Sequence, residues 1–200
     1  MDLWIAGAGG LGREVLDVAL ALDATVHGFL DDAADRGPVR GIPVRPLDAL
    51  ADSEAYLVGI GDPTARLGVA ARLDAAGGRP FALVHPTAVV APETTVGAGA
   101  LVMALAHVSS SVDLGAHVQV HYGSTVGHDS TLEEGVTVLP GANVAGSVHL
   151  GRGATVGSGA IVLPGLTVGA DAFVGAGAVV TRDVDAGAVV VGSPARPRSG

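Results

Sequence analysis

Every sixth residue from Val84 to Val180 is valine or leucine, seventeen positions without an exception, with Leu114, Leu132 and Leu150 the only leucines. Four residues after each, from Ala88 to Val184, the side chain is nearly always small or β-branched, as at Ala100, Ala106, Ser124, Ser130, Ala142 and Ala160. A period of six fits neither the 3.6 of a helix nor the 2.0 of a plain strand. It suits a hexapeptide-repeat β-helix, in which three hexads make one triangular coil and the aliphatic residues fill the prism interior. At about 4.8 Å per coil, five to six coils give a column on the order of 27 Å tall. Gly97, Gly115, Gly127, Gly151, Gly157, Gly169 and Gly175 each follow an aliphatic position. They are expected at corners, either for a positive φ or for close approach of neighbouring coils.

The period stops short of the N-terminus, which divides the chain. Residues 1–83 have helix-and-strand patterning and most of the arginines, while residues 84–200 are dominated by Val, Ala and Gly. The boundary is expected near Val84 to Pro86. No apolar run approaches the roughly 20 residues that span a bilayer, and the start carries no basic segment of the secretory kind, so a cytoplasmic protein with no membrane partner is expected.

What is missing from the chain narrows its chemistry. It has no cysteine and no lysine, so a thiolate nucleophile, a Schiff base and a P-loop lysine are excluded. A catalytic base must then be His, Asp, Glu or Tyr. The net charge of -9 argues against a nucleic-acid partner, which needs clustered positive charge.

Near the N-terminus, the apolar run Leu3-Trp4-Ile5-Ala6 leads into Gly7-Ala8-Gly9-Gly10-Leu11-Gly12 and then into the helical pattern Val15, Leu16, Val18, Ala19 and Leu22. A glycine turn between strand and helix lets a phosphate approach unpaired amides at a helix N-terminus; the plainer reading is a tight structural turn. A second strand, 25–30, ends in Asp31-Asp32, where a carboxylate accepts from a ribose or base, or is simply a solvated loop acid. A third run, 56–60, ends in Gly61-Asp62-Pro63 before a helix bearing Arg66 and Arg72, and a last strand is expected over 81–84. Strand ends clustered in this way form the crevice of an open α/β sheet. The unit is too short for a full dinucleotide fold, and one nucleotide or a nucleotide sugar fits it better.

None of the seven histidines falls on an inward aliphatic or small hexad position, so none is expected in the core. His128 stands out: it is followed by Asp129, and one coil above it, eighteen residues on, is Gly146, which has no side chain. Histidine titrates near neutrality and serves as a general base; the alternative is an ordinary surface histidine.

Gly7-Ala8-Gly9-Gly10-Leu11-Gly12-Arg13-Glu14, Phe29-Leu30-Asp31-Asp32, Ile60-Gly61-Asp62, His85-Pro86, Gly127-His128-Asp129 and the run from Gly141 to Gly146, in this order, resemble the sugar acyltransferases of the left-handed β-helix superfamily that carry an N-terminal nucleotide-sugar domain. These include N-acetyltransferases of UDP-4-amino-dideoxy sugars and the sialic acid O-acetyltransferases. The resemblance implies a small Rossmann-like domain followed by a left-handed parallel β-helix, in a homotrimer with active sites between neighbouring prisms. It implies acetyl-CoA as co-substrate, no metal, and a nucleotide-linked amino sugar as acceptor. His128 then stands at the base and Asp129 beside it. The uridine and pyrophosphate site draws on Gly7, Gly9, Gly10, Gly12, Asp31, Asp32, Gly61 and Asp62, and the acetyl-CoA site on Gly146. At that site His121 replaces the asparagine of many relatives, and Thr137 replaces a second histidine. Arg196 and Arg198 lie in the chain's exit from the last coil.

Three rivals differ in class. An O-acetyltransferase uses the same base on a hydroxyl. A γ-type carbonic anhydrase also resembles a trimeric left-handed β-helix and binds zinc through histidines; His117 and His121 supply two candidate ligands, without a third by spacing. A nucleotide-sugar binding protein would use the coil only to assemble.

Overall fold

The structure is a computed structural model that describes residues 2–33 and 37–198. Its N-terminal unit is a five-stranded parallel sheet in the order β3-β2-β1-β4-β5, with β1 (Asp2–Ala6), β2 (Thr25–Leu30), β3 (Val44–Arg45), β4 (Ala55–Val58) and β5 (Arg79–Pro80). Helix α1 (Gly10–Ala21) buries Gly12, Val15, Leu16, Val18 and Ala19, an i, i+3, i+4, i+7 stripe that supplies one apolar face. Helix α2 (Pro63–Ala75) starts at Asp62, whose side chain accepts from the Ala65 amide, with Pro63 in the first turn. Both are strong helix-start signals.

The period of six becomes a three-faced prism of two-residue strands. On the first face Gln119 pairs with Thr137 and Val120 with Val138; on the second His107 pairs with Thr125; on the third Asp113 pairs with Thr131. Each pair is eighteen residues apart, so three hexads make a coil. The faces carry eight, six and five strands, the eighth on the first face being an antiparallel return, Arg196–Pro197 against Val190 and Val191. The aliphatic positions from Val102 to Val180 form one continuous core with the small residues between them. They are stacked valines and leucines sealed from water, each contributing about 1.5–3 kcal/mol of burial.

Three expectations need correction. Leu83 is not part of the N-terminal sheet: Leu83–Val84 pairs with Leu101–Val102 as the first rung of the prism, and the sheet ends at β5. The final coil is two residues short, so Val184 bridges Val168 and Val190 stacks on Val174; Val184 thus joins the aliphatic layer instead of the small one. The glycines following aliphatic positions are corners of close approach, not of positive φ. A methyl on Gly127 would overlap the Ala145–Gly146 peptide of the coil above. The left-handed conformation falls two residues further along each corner, on Gly135 and Gly153 and also on Leu105, Ser111, His117, Asp129, Ser147 and Asp171.

The two units share packing. Leu83, Leu101 and Met103 of the prism lie in one cluster with Leu3, Ile5, Val15, Leu16 and Val18 of the sheet and α1. The outer side of the first face is therefore covered, which is why Gln119, Thr137 and Thr155 are buried there.

Candidate active site

The strand-end crevice is built by the turns after β1, β2 and β4. Gly7 has φ +100 and its amide donates to the Leu30 carbonyl at 2.7 Å, so the glycine turn is tied to the end of β2. The Asp31 carboxylate accepts from the Ala8 amide at 2.8 Å and from the Ala33 amide at 2.9 Å. Asp32 pairs with Arg72 through both carboxylate oxygens, at 2.9 and 3.1 Å, and that guanidinium holds its carboxyl below the usual range. A cavity of about 100 Å³ lies between them, lined by Gly7, Leu30, Asp31, Asp32, Leu47, Ile60 and Val69.

The other glycines of the turn divide by role. Gly9 and Gly10 open onto space at the N-terminus of α1, where unpaired amides favour an anion. Gly12 is a packing residue: a methyl there would overlap the Gly7 carbonyl oxygen, so it lets α1 lie on β1. Gly61 and Asp62, expected to close the crevice, are not among the residues lining that cavity. The Gly61 carbonyl points to Arg66, and Asp62 caps α2 on the prism side, beside Gly153 and Asp171. Ile60 and Val69 line that side of the cavity.

Two of the seven histidines are buried, against expectation. His117 stacks on Tyr56, with ring centroids 6.4 Å apart, and His121 lies edge-on to Tyr122. The hexad pattern marks the prism interior only and carries no record of what covers the outside. Burial and the nearby Arg66 charge push the His121 pKa down to about 4, which keeps the ring neutral at physiological pH. Thr137 is 1% exposed, and its hydroxyl accepts from Arg66 at 2.8 Å. His121 and Thr137, expected at the acetyl-CoA site, are thus enclosed beneath the N-terminal unit, and neither side chain is presented at the surface of the chain. Among the described residues no group of three or more His, Cys, Asp or Glu side chains is placed to hold a metal.

His128 occupies a different corner, between the second and third faces. Its Nδ1 lies 2.7 Å from Asp129 Oδ2, and both side chains are more than 60% exposed. Asp129 has φ 59, a conformation aspartate tolerates better than most residues, and this turn brings its carboxylate back to the preceding ring. The imidazole lies against Gly146, where a methyl would come within 2.7 Å of Cε1 and Nε2. The missing side chain therefore makes room for the ring itself. With Nδ1–H donating to the carboxylate, Nε2 keeps its lone pair and is free to take a proton. Within one chain His128 and Gly146 come together, whereas His121 and Thr137 do not join them.

Sequence reasoning missed Arg66, which is 1% exposed. Its place was legible: Arg66, Ala70 and Leu73 are the buried residues of α2, an i, i+4, i+7 stripe with a cation on its apolar face. The guanidinium donates to the carbonyls of Ile60 and Gly61, to Gln119 Oε1, to the Gly135 carbonyl and to Thr137 Oγ1 at 2.6–2.9 Å.

Comparison with known proteins gives a consistent picture. Residues 2–73 match the model of the PglD N-terminal domain family. The chain is 31% identical over 159 residues, 74% of its length and 72% of the relative's, to GDP-perosamine N-acetyltransferase of Escherichia coli O157:H7. Its fold superimposes on a histidine-to-asparagine variant of perosamine N-acetyltransferase from Caulobacter crescentus in complex with CoA and GDP-perosamine, with a TM-score of 0.95, 31% identity, and coverage of 100% of this chain and 98% of the other. It also matches the acetyltransferase domain of PglB from Neisseria gonorrhoeae FA1090 in complex with acetyl coenzyme A, with a TM-score of 0.92 and 35% identity over 98% of both chains. The small α/β sheet, the eighteen-residue coil and these likenesses agree: the chain belongs to the family of sugar N-acetyltransferases that join a PglD-type N-terminal domain to a left-handed β-helix.

Proposed function

We propose that this chain transfers the acetyl group of acetyl-CoA to the amino group of a nucleotide-linked 4-amino-dideoxy sugar, with His128 as general base. The His128–Asp129 pair against Gly146 carries the proposal, because it combines an oriented imidazole with an open backbone edge. The amine nitrogen attacks the thioester carbonyl carbon and Nε2 of His128 takes the amine proton. The carbon–sulfur bond breaks, and the proton passes to the leaving thiolate. Direct transfer in a ternary complex is the favoured route, because the chain lacks cysteine, the side chain that most readily carries an acyl group. Aligning amine and thioester is worth about 7–11 kcal/mol, and a positioned base roughly 10² to 10⁴-fold.

The nucleotide moiety is assigned to the crevice of Gly7, Asp31 and Asp32, with phosphate near the open amides after Gly9. The relatives that act on or bind GDP-perosamine put a guanosine nucleotide ahead of the uridine expected from the motifs.

The protein works as a homotrimer in this reading. Val89, Leu105, Tyr122, Ile161 and Leu163 are all exposed apolar side chains on or beside the second face, and His128 stands at its edge. A second copy covering that face would shelter them and enclose the base in a groove between prisms.

Thiol release from acetyl-CoA tests the proposal without background, since the chain has no thiol of its own. GDP-perosamine and UDP-4-amino-dideoxy sugars are the acceptors, with sialic acid for comparison. Release that requires an amino sugar, and that falls by roughly 10² or more in His128→Ala with folding unchanged, is the expected outcome. Full activity in that variant removes His128 from the role, and release with a hydroxyl acceptor alone means O-acetylation.

A further inference from the structure

We infer that Arg66 is a positioning residue for the transfer, holding the nucleotide crevice in register with the prism that carries His128. The inference rests on the acetyl-transfer reading above. The five acceptors of the guanidinium come from three separate stretches of chain. Ile60 and Gly61 belong to the turn after β4, Gln119 to one coil, and Gly135 with Thr137 to the next. Ile60 is itself a wall of the crevice. The same turn is gripped a second time, because Gln119 Nε2 donates to the carbonyls of Val58 and Ile60, each at 3.2 Å.

The chemistry of the junction favours geometry over adhesion. Every acceptor is neutral, and among the described residues no carboxylate bonds the cation. Burial accordingly lowers the guanidinium's pKa to about 10, which leaves it charged at neutral pH. Nε has no partner. A buried charge contributes little net stability compared with a packed apolar side chain of similar size, so adhesion alone would be served as well by methionine. A planar fork does what an apolar side chain cannot: it fixes direction and distance between the segments it bridges. A misplacement of 1 Å costs up to about 10²-fold in rate, and this junction joins the element that would hold the acceptor to the element that bears the base.

The test compares Arg66→Met, which fills the volume, with Arg66→Lys, which keeps the charge but loses the fork. Gln119→Leu is the milder variant that keeps the question answerable if the first two fold poorly. Because the chain is free of cysteine, Ala21→Cys at the end of α1 and Ala186→Cys on the prism, both exposed, take nitroxide labels selectively. Labelled protein is diluted into unlabelled protein, and pulsed electron resonance then reads the distance between the two units.

The expected result is one narrow distance in the Arg66 protein and a broadened one in the Arg66 variants, with a smaller broadening in Gln119→Leu. The acceptor kcat/KM should fall by about tenfold or more while the acetyl-CoA KM stays within about twofold. A distribution as narrow as the parent's overturns the inference. So does a fall in kcat that only matches a fall in the fraction of protein able to bind acetyl-CoA, the mark of a purely structural contact. If the parent transfers acetyl to no acceptor, the functional reading fails, and the label distances still decide what Arg66 does.

Discussion

At the scale of one residue, Asp129 shows how a backbone conformation sets a side-chain contact. The left-handed corner that recurs along the prism is taken here by a side chain that folds back on its neighbour, 2.7 Å from the His128 ring. Asn tolerates the same φ but presents a neutral amide to the ring in place of a carboxylate. Asp129→Asn should therefore keep the melting temperature within a degree or two while lowering kcat by about tenfold or more, inside the range a positioned base contributes; steady-state kinetics beside thermal denaturation separate the two effects. His121 titrates abnormally for a different reason. Burial pushes its folded pKa to about 4 from an ordinary value of 6.5, so across that window the unfolded chain takes up a proton that the folded chain refuses. Stability is then lost as pH falls from 6.5 toward 4, at up to about 1.4 kcal/mol per pH unit. His117, also lowered by burial, adds in the same direction. His121→Asn should flatten that loss in denaturant melts taken from pH 7 to 4.5, and an unchanged pH slope would contradict it.

Among the elements, the first turn is the most exacting. Gly12 and Gly59 face one another across the junction of α1 and the sheet, and a methyl on either would come within 3 Å of the other's backbone or of the Gly7 carbonyl. No flexible side chain is available to give way. Gly12→Ala should push α1 off β1, destabilise the N-terminal unit by at least about 2 kcal/mol and abolish nucleotide-sugar binding, as calorimetric titration would register. The strand–glycine–helix pattern was legible because local chemistry dictates it, and so were the prism strands. The interior admits only one side-chain type at every sixth place, and that demand is written into consecutive residues. The destinations of Gly61 and Asp62 were not legible. Their direction depends on the prism that α2 packs against, more than fifty residues further along the chain.

For the whole molecule, the two units read from the sequence are one packing unit. Leu83, Leu101 and Met103 share a cluster with β1 and α1, and Arg66 joins both sides with five hydrogen bonds. Thermal unfolding followed by calorimetry should accordingly give a single transition, whereas two well-separated transitions would mean that the junction contributes little. Removing residues 1–80 would expose that apolar cluster as well as delete the crevice, so loss of activity in such a truncation says nothing specific about substrate binding. The sequence by itself determined the coil, its eighteen-residue repeat, the glycine turn and the His128–Asp129 pair against Gly146, because each rests on residues whose spacing is set by one local geometry. Only the tertiary structure decided that His117, His121 and Thr137 are enclosed, that Asp62 caps a helix, and that a buried arginine ties crevice to prism. Those outcomes depend on which outer surface of the coil another unit covers, and an inward-facing repeat carries no information about its outside.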